Sequence, residues 1–170
     1  LHAQCLDRAA GVLSVPGAHP RDLELNAAAA DRVAALFATK GAMLSHDNLL
    51  SNAIVLKDLW QFTQDDVLLH ALPVFHTHGL FVATNTIMRA GAQMIFLPGF
   101  NADQVIRYLP DATAMMGVPT FYTRLLDDPR FTRELVSHMR LFVSGSAPLL
   151  AETHVEFEKR TGHRILERYG

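Results

Sequence analysis

Four short segments carry the residue types from which a site could be built. Phe75-His76-Thr77-His78-Gly79 sets two imidazoles two positions apart, between an apolar run and an amphipathic one. An imidazole there could contact a carboxylate or wall an acyl pocket. On spacing alone, His76 or His78 reads first as a cap for the next helix. His-x-His can also bind a metal, but no third ligand stands at a suitable spacing. In Gly117-Val118-Pro119-Thr120-Phe121-Tyr122-Thr123-Arg124, Arg124 falls one helical step beyond Phe121. A guanidinium offers a carboxylate two parallel hydrogen bonds from one planar fork. An arginine on a helix is, taken alone, more commonly solvated. Ser144-Gly145-Ser146-Ala147-Pro148 ends a strand in small residues, which let a ligand approach backbone amides able to bind an anion. Any strand-to-helix turn favours the same residues. Glu167-Arg168-Tyr169-Gly170 adds an aromatic face for a purine and a second guanidinium, although a lone Tyr-Gly is more often structural.

The pattern between these segments says what must position them. Residues 1–31 are Ala-rich, broken at Pro16-Gly17 and Pro20, and read as loop with short elements. Val33–Ala38 follows as a strand. Ser45 to Leu59 reads as a helix capped by Ser45 or Asp47, with Leu49, Leu50, Ala53, Ile54 and Leu56 apolar. Strands are expected at Val67–Leu72, Gln93–Leu97, Ala114–Gly117, Leu141–Ser144 and Arg164–Glu167. Helices are expected at Gly79–Arg89, from a cap at Asn101 to Leu109, from Pro119 to Leu126, and at Ala151–Thr161 before Gly162. Strands alternating with helices give an α/β class, a mainly parallel sheet flanked by helices. Ligands bind such sheets at the carboxyl ends of the strands. His76–Gly79, Gly117–Thr120, Ser144–Pro148 and Arg168–Gly170 all fall there, so one shared site is expected.

Composition narrows the classes. With 170 residues, 49% of them hydrophobic and 19% charged, the chain can bury a sizeable core. A net charge of −2 argues against a nucleic-acid partner. The run Leu80–Phe100 is interrupted by Asn85, Arg89 and Gln93, so no membrane span is expected. Nothing at the start has the form of a signal peptide. The single cysteine, Cys5, excludes an internal disulfide and fits a reducing, cytoplasmic setting.

Taken in order, Lys40–His46, His76–Leu80, Gly117–Tyr122, Ser144–Leu149 and Glu167–Gly170 resemble the adenylate-forming (AMP-binding, acyl-CoA synthetase) superfamily over roughly the last three-quarters of the chain. Within it, HALPVFHTHGLFVATN, MGVPTFYTRLL and HMRLFVSGSAPL are most similar to malonyl-CoA synthetases. The resemblance implies a ligase using ATP, Mg2+ and coenzyme A. A carboxylate attacks the α-phosphorus of ATP and releases pyrophosphate; the thiol of coenzyme A then displaces AMP from the acyl-adenylate. It further implies that Tyr169 stacks on adenine. Gly145, Ser146, Ala147 and Pro148, with Glu167 and Gly170, would line the nucleotide, Ser146 also facing the acyl group. His76 would sit near that group, and Arg124 and Arg168 would grip the distal carboxylate of malonate. Methylmalonate or another short acid is the alternative substrate, and a non-catalytic nucleotide-binding remnant is the alternative of another class.

Two departures from the family pattern shape the expectation. Leu36-Phe37-Ala38-Thr39 runs straight into Lys40, where the family carries a Ser/Thr/Gly-rich loop that cradles phosphates with its amides. Lys40 is then a remnant of that loop, whose middle is either deleted or omitted; the intact flanks favour omission. The start at Leu1 hints at a missing N-terminus. The Mg2+-binding Glu and the C-terminal domain are expected beyond Gly170. The expected organisation is an irregular lead-in over 1–31 and a partial AMP-binding domain over 32–170. It lacks the remainder of its own polypeptide and should be inactive alone.

Overall fold

The computed structural model describes residues 44–168 and two short strands before them, β1 (Leu6–Asp7) and β2 (Val12–Leu13), which pair antiparallel. The strand expected at Val33–Ala38, and the junction at Lys40, lie outside the described residues. The chain divides into two units, Leu1–Asn52 and Ala53–Gly170. Helix α1 (His46–Leu59) straddles the division. Its start is a reciprocal cap: the Ser45 hydroxyl accepts from the Asn48 N–H at 3.2 Å, and Asn48 Oδ1 accepts from the Ser45 N–H at 3.0 Å. Ser45, not Asp47, is therefore the cap. Leu50, expected on the apolar face, is exposed. Beyond the helix Gln61 takes a left-handed φ of 55°, and the Phe62 N–H returns to the Lys57 carbonyl at 2.9 Å.

The second unit is a five-stranded parallel sheet of β3 (Val67–His70), β4 (Gln93–Phe96), β5 (Ala114–Gly117), β6 (Leu141–Gly145) and β7 (Ile165–Arg168), in the order β4-β3-β5-β6-β7. Every residue of β5 and β6 is buried, as central strands covered on both faces must be. Parallel neighbours need crossovers. These are a π-helix (His78–Thr84) running into α2 (Asn85–Ala90), then α3 (Ala102–Tyr108), α4 (Pro119–Leu126) and α5 (Ala151–Thr161). Asn101 caps α3 by accepting from the Gln104 N–H at 3.0 Å, and Gly162 ends α5 with a φ of 80°. Among the described residues no helix is long and apolar enough to cross a membrane.

Phe157 of α5 anchors the core, meeting Phe142 of β6 edge-on at 5.0 Å and Tyr122 of α4 at 5.6 Å. The buried Tyr122 hydroxyl donates to the Val143 carbonyl at 2.6 Å, which leaves neither group unpaired. Several elements differ from expectation, β4 ending at Phe96 and β6 at Gly145 rather than at Leu97 and Ser144. β3 stops at His70, yet Ala71 and Leu72 stay buried as unpaired chain. β7 lies one residue later, at Ile165–Arg168. The helix expected over Gly79–Arg89 opens as a π-helix rather than an α-helix.

At the opposite end of the sheet, Asp66 fastens the first strand. Its carboxylate accepts from Arg140 Nε at 3.0 Å and Nη2 at 2.9 Å, from the Thr113 hydroxyl at 2.8 Å and from the Thr63 N–H at 2.9 Å. Arg140 also donates to the Trp60 carbonyl at 2.7 Å and lies over the Phe62 ring. Burial pushes the Asp66 carboxyl up, but the Arg140, Thr63 and Thr113 hydrogen bonds and the Arg140 charge together hold it below its ordinary value of 3.8. Asp66→Asn is expected to cost about 3 kcal/mol, the lower end for a broken buried pair because Arg140 keeps some solvent. The sign follows from linkage. A depressed carboxyl stabilises the fold above the unfolded value, and that part is lost as pH falls through the folded one. Urea unfolding between about pH 5 and 3 should show this loss in the parent protein and not in Asp66→Asn.

Candidate active site

The strand order fixes where a ligand can enter. The chain leaves β3 toward β4, then returns across β3 to build β5, β6 and β7 on the other side. The connections therefore diverge between β3 and β5, and a crevice opens at the carboxyl ends of those strands. His78 reaches across it from the β3 side. Its Nδ1 lies 3.2 Å from the Ser146 hydroxyl, just beyond the end of β6.

The backbone around His78 is fixed by its neighbours. Gly79 approaches Pro73 so closely that a Cβ would lie 2.3 Å from the Pro73 carbonyl oxygen. The Gly79 carbonyl accepts from His70 Nε2 at 3.0 Å and from the Thr84 hydroxyl at 2.9 Å. A π-helical turn leaves room for such side chains to serve a carbonyl, and these turns concentrate at functional sites. The His78 ring is 5% exposed and packs on Gly145, where a Cβ would come within 3.0 Å of its Cε1. Burial, then the Arg168 charge, then His70 push the His78 pKa down to about 4, so the ring is neutral at physiological pH.

Ser146 adopts a φ of 69°, one of two non-glycine residues among those described in the left-handed region. That conformation costs on the order of 1–2 kcal/mol and persists where surroundings impose it, often at functional sites. Ser146, Ala147 and Pro148 are exposed, whereas Ser144 and Gly145 are buried. Arg168 ends β7 opposite Gly145, half-buried, and among the described residues it makes no ion pair. Burial lowers its pKa, the direction expected of a cation lacking a countercharge.

The remaining candidate residues sort plainly. Arg124 lies on α4, exposed, with its guanidinium 4.9 Å from the centre of the Phe100 ring, which itself stacks on Phe121 at 4.2 Å. Arg124 lies on the helix that follows β5 and Arg168 ends β7, two strands with β6 between them. Glu167 accepts from the Leu149 N–H at 3.3 Å and meets His154 Nε2 at 3.2 Å, bracing the loop after β6. His76 is exposed and rests on Phe75 at 5.0 Å. Lys40, Tyr169 and Gly170 lie outside the described residues. Sequence reasoning named both imidazoles, assigned His76 to the acyl group and Gly145 to the nucleotide, and passed over Phe100 and the packing of His78 on Gly145. The available signal was Gly79 directly after His78, since a glycine opening a helix marks a close backbone approach.

Comparison with known proteins shows the family. The model of the AMP-binding enzyme family matches residues 38–170. The chain belongs to the AMP-binding enzyme family. The mitochondrial malonate–CoA ligase of Mus musculus is 38% identical over 163 residues, covering 82% of this chain and 28% of that protein. ATP-bound MatB from Rhodopseudomonas palustris is 63% identical, with a TM-score of 0.76, covering 77% of this chain and 26% of that one. A malonyl-CoA ligase ternary product complex with methylmalonyl-CoA and AMP bound is 38% identical, with a TM-score of 0.72, over 77% of this chain and 29% of that one. This AMP-binding chain thus spans little more than a quarter of the length of these relatives. Among the described residues no three His, Cys, Asp or Glu side chains gather into a group able to hold a metal. The resemblance placed the Mg2+-binding Glu outside this chain, and no chemistry is assigned to the ion.

Proposed function

We propose that this chain forms part of the acid- and nucleotide-binding domain of an acid–thiol ligase, with malonate as the acid. The observation that carries the reading is the half-buried Arg168 guanidinium at the carboxyl edge of the sheet, beside neutral His78 and the strained Ser146, without an acidic partner among the described residues. A cation so placed is suited to an anionic ligand, and the exposed Arg124 offers a second charge. Similarity to a malonate–CoA ligase and to a malonyl-CoA ligase, each 38% identical, supports malonate as that anion.

In this reading one carboxylate of the acid attacks the α-phosphorus of ATP, and pyrophosphate leaves. The thiol of coenzyme A then attacks the acyl carbon and expels AMP. The contribution of these residues is positioning and charge neutralisation, which can supply most of the catalysis in such transfers. Gly145, Ser146, Ala147 and Pro148 form the wall along which nucleotide and acid lie. Methylmalonate is the second acid, favoured by the relative that binds methylmalonyl-CoA and AMP. We further propose residues 32–170 as the domain's extent within the chain.

Acid-dependent ATP–pyrophosphate exchange by the full gene product tests the reading. Malonate and methylmalonate should each exceed acetate and butyrate in kcat/KM by at least about tenfold, the worth of one extra charged hydrogen bond. Equal rates with all four acids would remove the dicarboxylate assignment. Nucleotide binding without exchange would favour the non-catalytic reading.

A further inference from the structure

His70 is a buried titratable group that the ligase reading leaves unused. It closes β3, registered with Phe96 of β4 on one side and Met116 of β5 on the other, and is only 1% exposed. Its Nε2 lies 3.0 Å from the Gly79 carbonyl. A carbonyl oxygen only accepts, so the ring proton sits on Nε2. Burial pushes the His70 pKa down, which keeps the ring neutral with that one proton. Nδ1 is left buried with no hydrogen-bond partner, a cost the fold tolerates in placing the imidazole there.

The carbonyl it serves belongs to the π-helix. Thr84 donates its hydroxyl to the same oxygen at 2.9 Å and lies 3.4 Å from His70 Nε2. Thr84 stands five residues beyond Gly79, the π-helical spacing, whereas an α-helical turn closes over four. A return to α-helical register would rotate the residues ahead of the turn by one position, about 100° around the axis. The residues after it are fixed, since Val82, Ala83, Thr86 and Ile87 are buried. The close approach to Pro73 bars any side chain from the Gly79 position, but it attracts nothing; the two hydrogen bonds do.

We infer that His70 is a positioning residue for the acid: with Thr84 it holds the Gly79 carbonyl, fixes the π-register of the turn and so keeps the adjoining wall of the crevice in place. His70 touches neither substrate nor nucleotide in this role. The consequence for the acid rests on the ligase reading above; the hold on the turn does not.

Diethyl pyrocarbonate modification of the full gene product, resolved to single residues by mass spectrometry, reads the turn directly. Buried His78 reports on it, and exposed His76 is the reference. His70→Leu removes the bond and is expected to speed His78 modification about tenfold, the effect of one hydrogen bond on local opening. His70→Gln sets an amide N–H at the Nε2 position and should stay within about threefold of the parent. His70→Asn does not reach that position and should match His70→Leu. Thr84→Val should speed modification as well, and Thr84→Ser should not. In the exchange assay His70→Leu should raise the malonate KM about tenfold with the ATP KM unmoved. Asp66→Asn, altered at the opposite end of the sheet, should leave both readings as in the parent, which separates the turn from stability at large.

His78 remaining protected in His70→Leu overturns the inference, as does His70→Gln performing no better than His70→Asn, or Asp66→Asn exposing His78 as fully as His70→Leu. Should His70→Leu fail to fold, the comparison of Thr84→Val with Thr84→Ser decides. An unchanged malonate KM in a parent that exchanges sinks the positioning role and leaves the ligase reading standing. No exchange with any acid sinks the ligase reading and the consequence for the acid, while the modification rates still decide the hold on the turn.

Discussion

Gly79→Ala is expected to cost the full gene product more than about 4 kcal/mol, a loss reserved for a few identifiable mechanisms. The added Cβ would lie 2.3 Å from the Pro73 carbonyl oxygen, 2.9 Å from its carbon and 3.3 Å from the Leu72 Cβ. The first two obstacles are backbone and cannot rotate aside, so either the 72–73 segment or the start of the π-helix must move. Leu72 is core and the Gly79 carbonyl holds His70 and Thr84, so both alternatives break packed or hydrogen-bonded structure. Two other glycines separate space from conformation. Gly99 meets nothing within 4 Å, and alanine there should change stability by less than about 0.5 kcal/mol. Gly91 is equally open but has a φ of 69°, so alanine should cost about 1–2 kcal/mol. Urea midpoints of the three variants rank them. If Gly79→Ala costs no more than Gly91→Ala, the close approach to Pro73 does not fix the entry to the π-helix. The same variant should also weaken exchange wherever protein survives, because the backbone that must move carries His78.

How far such features can be read from a sequence depends on the range of the forces that make them. β5, α4 and α5 begin and end where expected, at Ala114–Gly117, Pro119–Leu126 and Ala151–Thr161. Their punctuation is local: Gly117 and Pro119 separate strand from helix, and Gly162 supplies the left-handed stop. β3 was expected to run to Leu72 because Ala71 and Leu72 are apolar. Apolar character reports burial, which holds, and not pairing, which ends at His70. The π-turn was invisible for a similar reason. Period alone does not distinguish one wide turn in a helix of His-Gly-Leu-Phe-Val-Ala-Thr, and the turn depends on Pro73, His70 and Thr84.

The site divides along the same line. Topology brings the ends of β3, β5, β6 and β7 together, as strand–helix alternation required, and so Ser146 and Arg168 fall at one edge. The burial of His78 against Gly145 joins residues far apart in the sequence, which local spacing does not reveal. The engagement of Glu167 by Leu149 and His154, and of Arg124 by Phe100, likewise came from tertiary packing.

In the ligase reading, Arg124→Ala should lower kcat/KM for malonate by about 10²–10³ while changing acetate and butyrate little, and the size of the loss is itself informative. An ion pair left open to solvent is worth about 0–1 kcal/mol, less than tenfold. A pair taken out of water leaves an uncompensated charge when one partner is removed, costing about 3–5 kcal/mol. Arg124 is exposed in this structure, so the larger loss requires the site to close over the acid's distal carboxylate; a loss below tenfold means that carboxylate stays wet. The Phe100 ring bears on the same question from beneath. It lies 4.9 Å from the guanidinium carbon and is itself held by Phe121, which steadies the fork before the acid arrives. Phe100→Leu should therefore cost up to about fivefold for malonate, in keeping with a cation–π contact of about 0.5–1 kcal/mol. Arg124→Lys should recover only part of the alanine loss, since an ammonium restores the charge but not the two-pronged geometry. Equal losses for malonate, acetate and butyrate in Arg124→Ala would take Arg124 out of acid selection and leave Arg168 as the charge that must account for it.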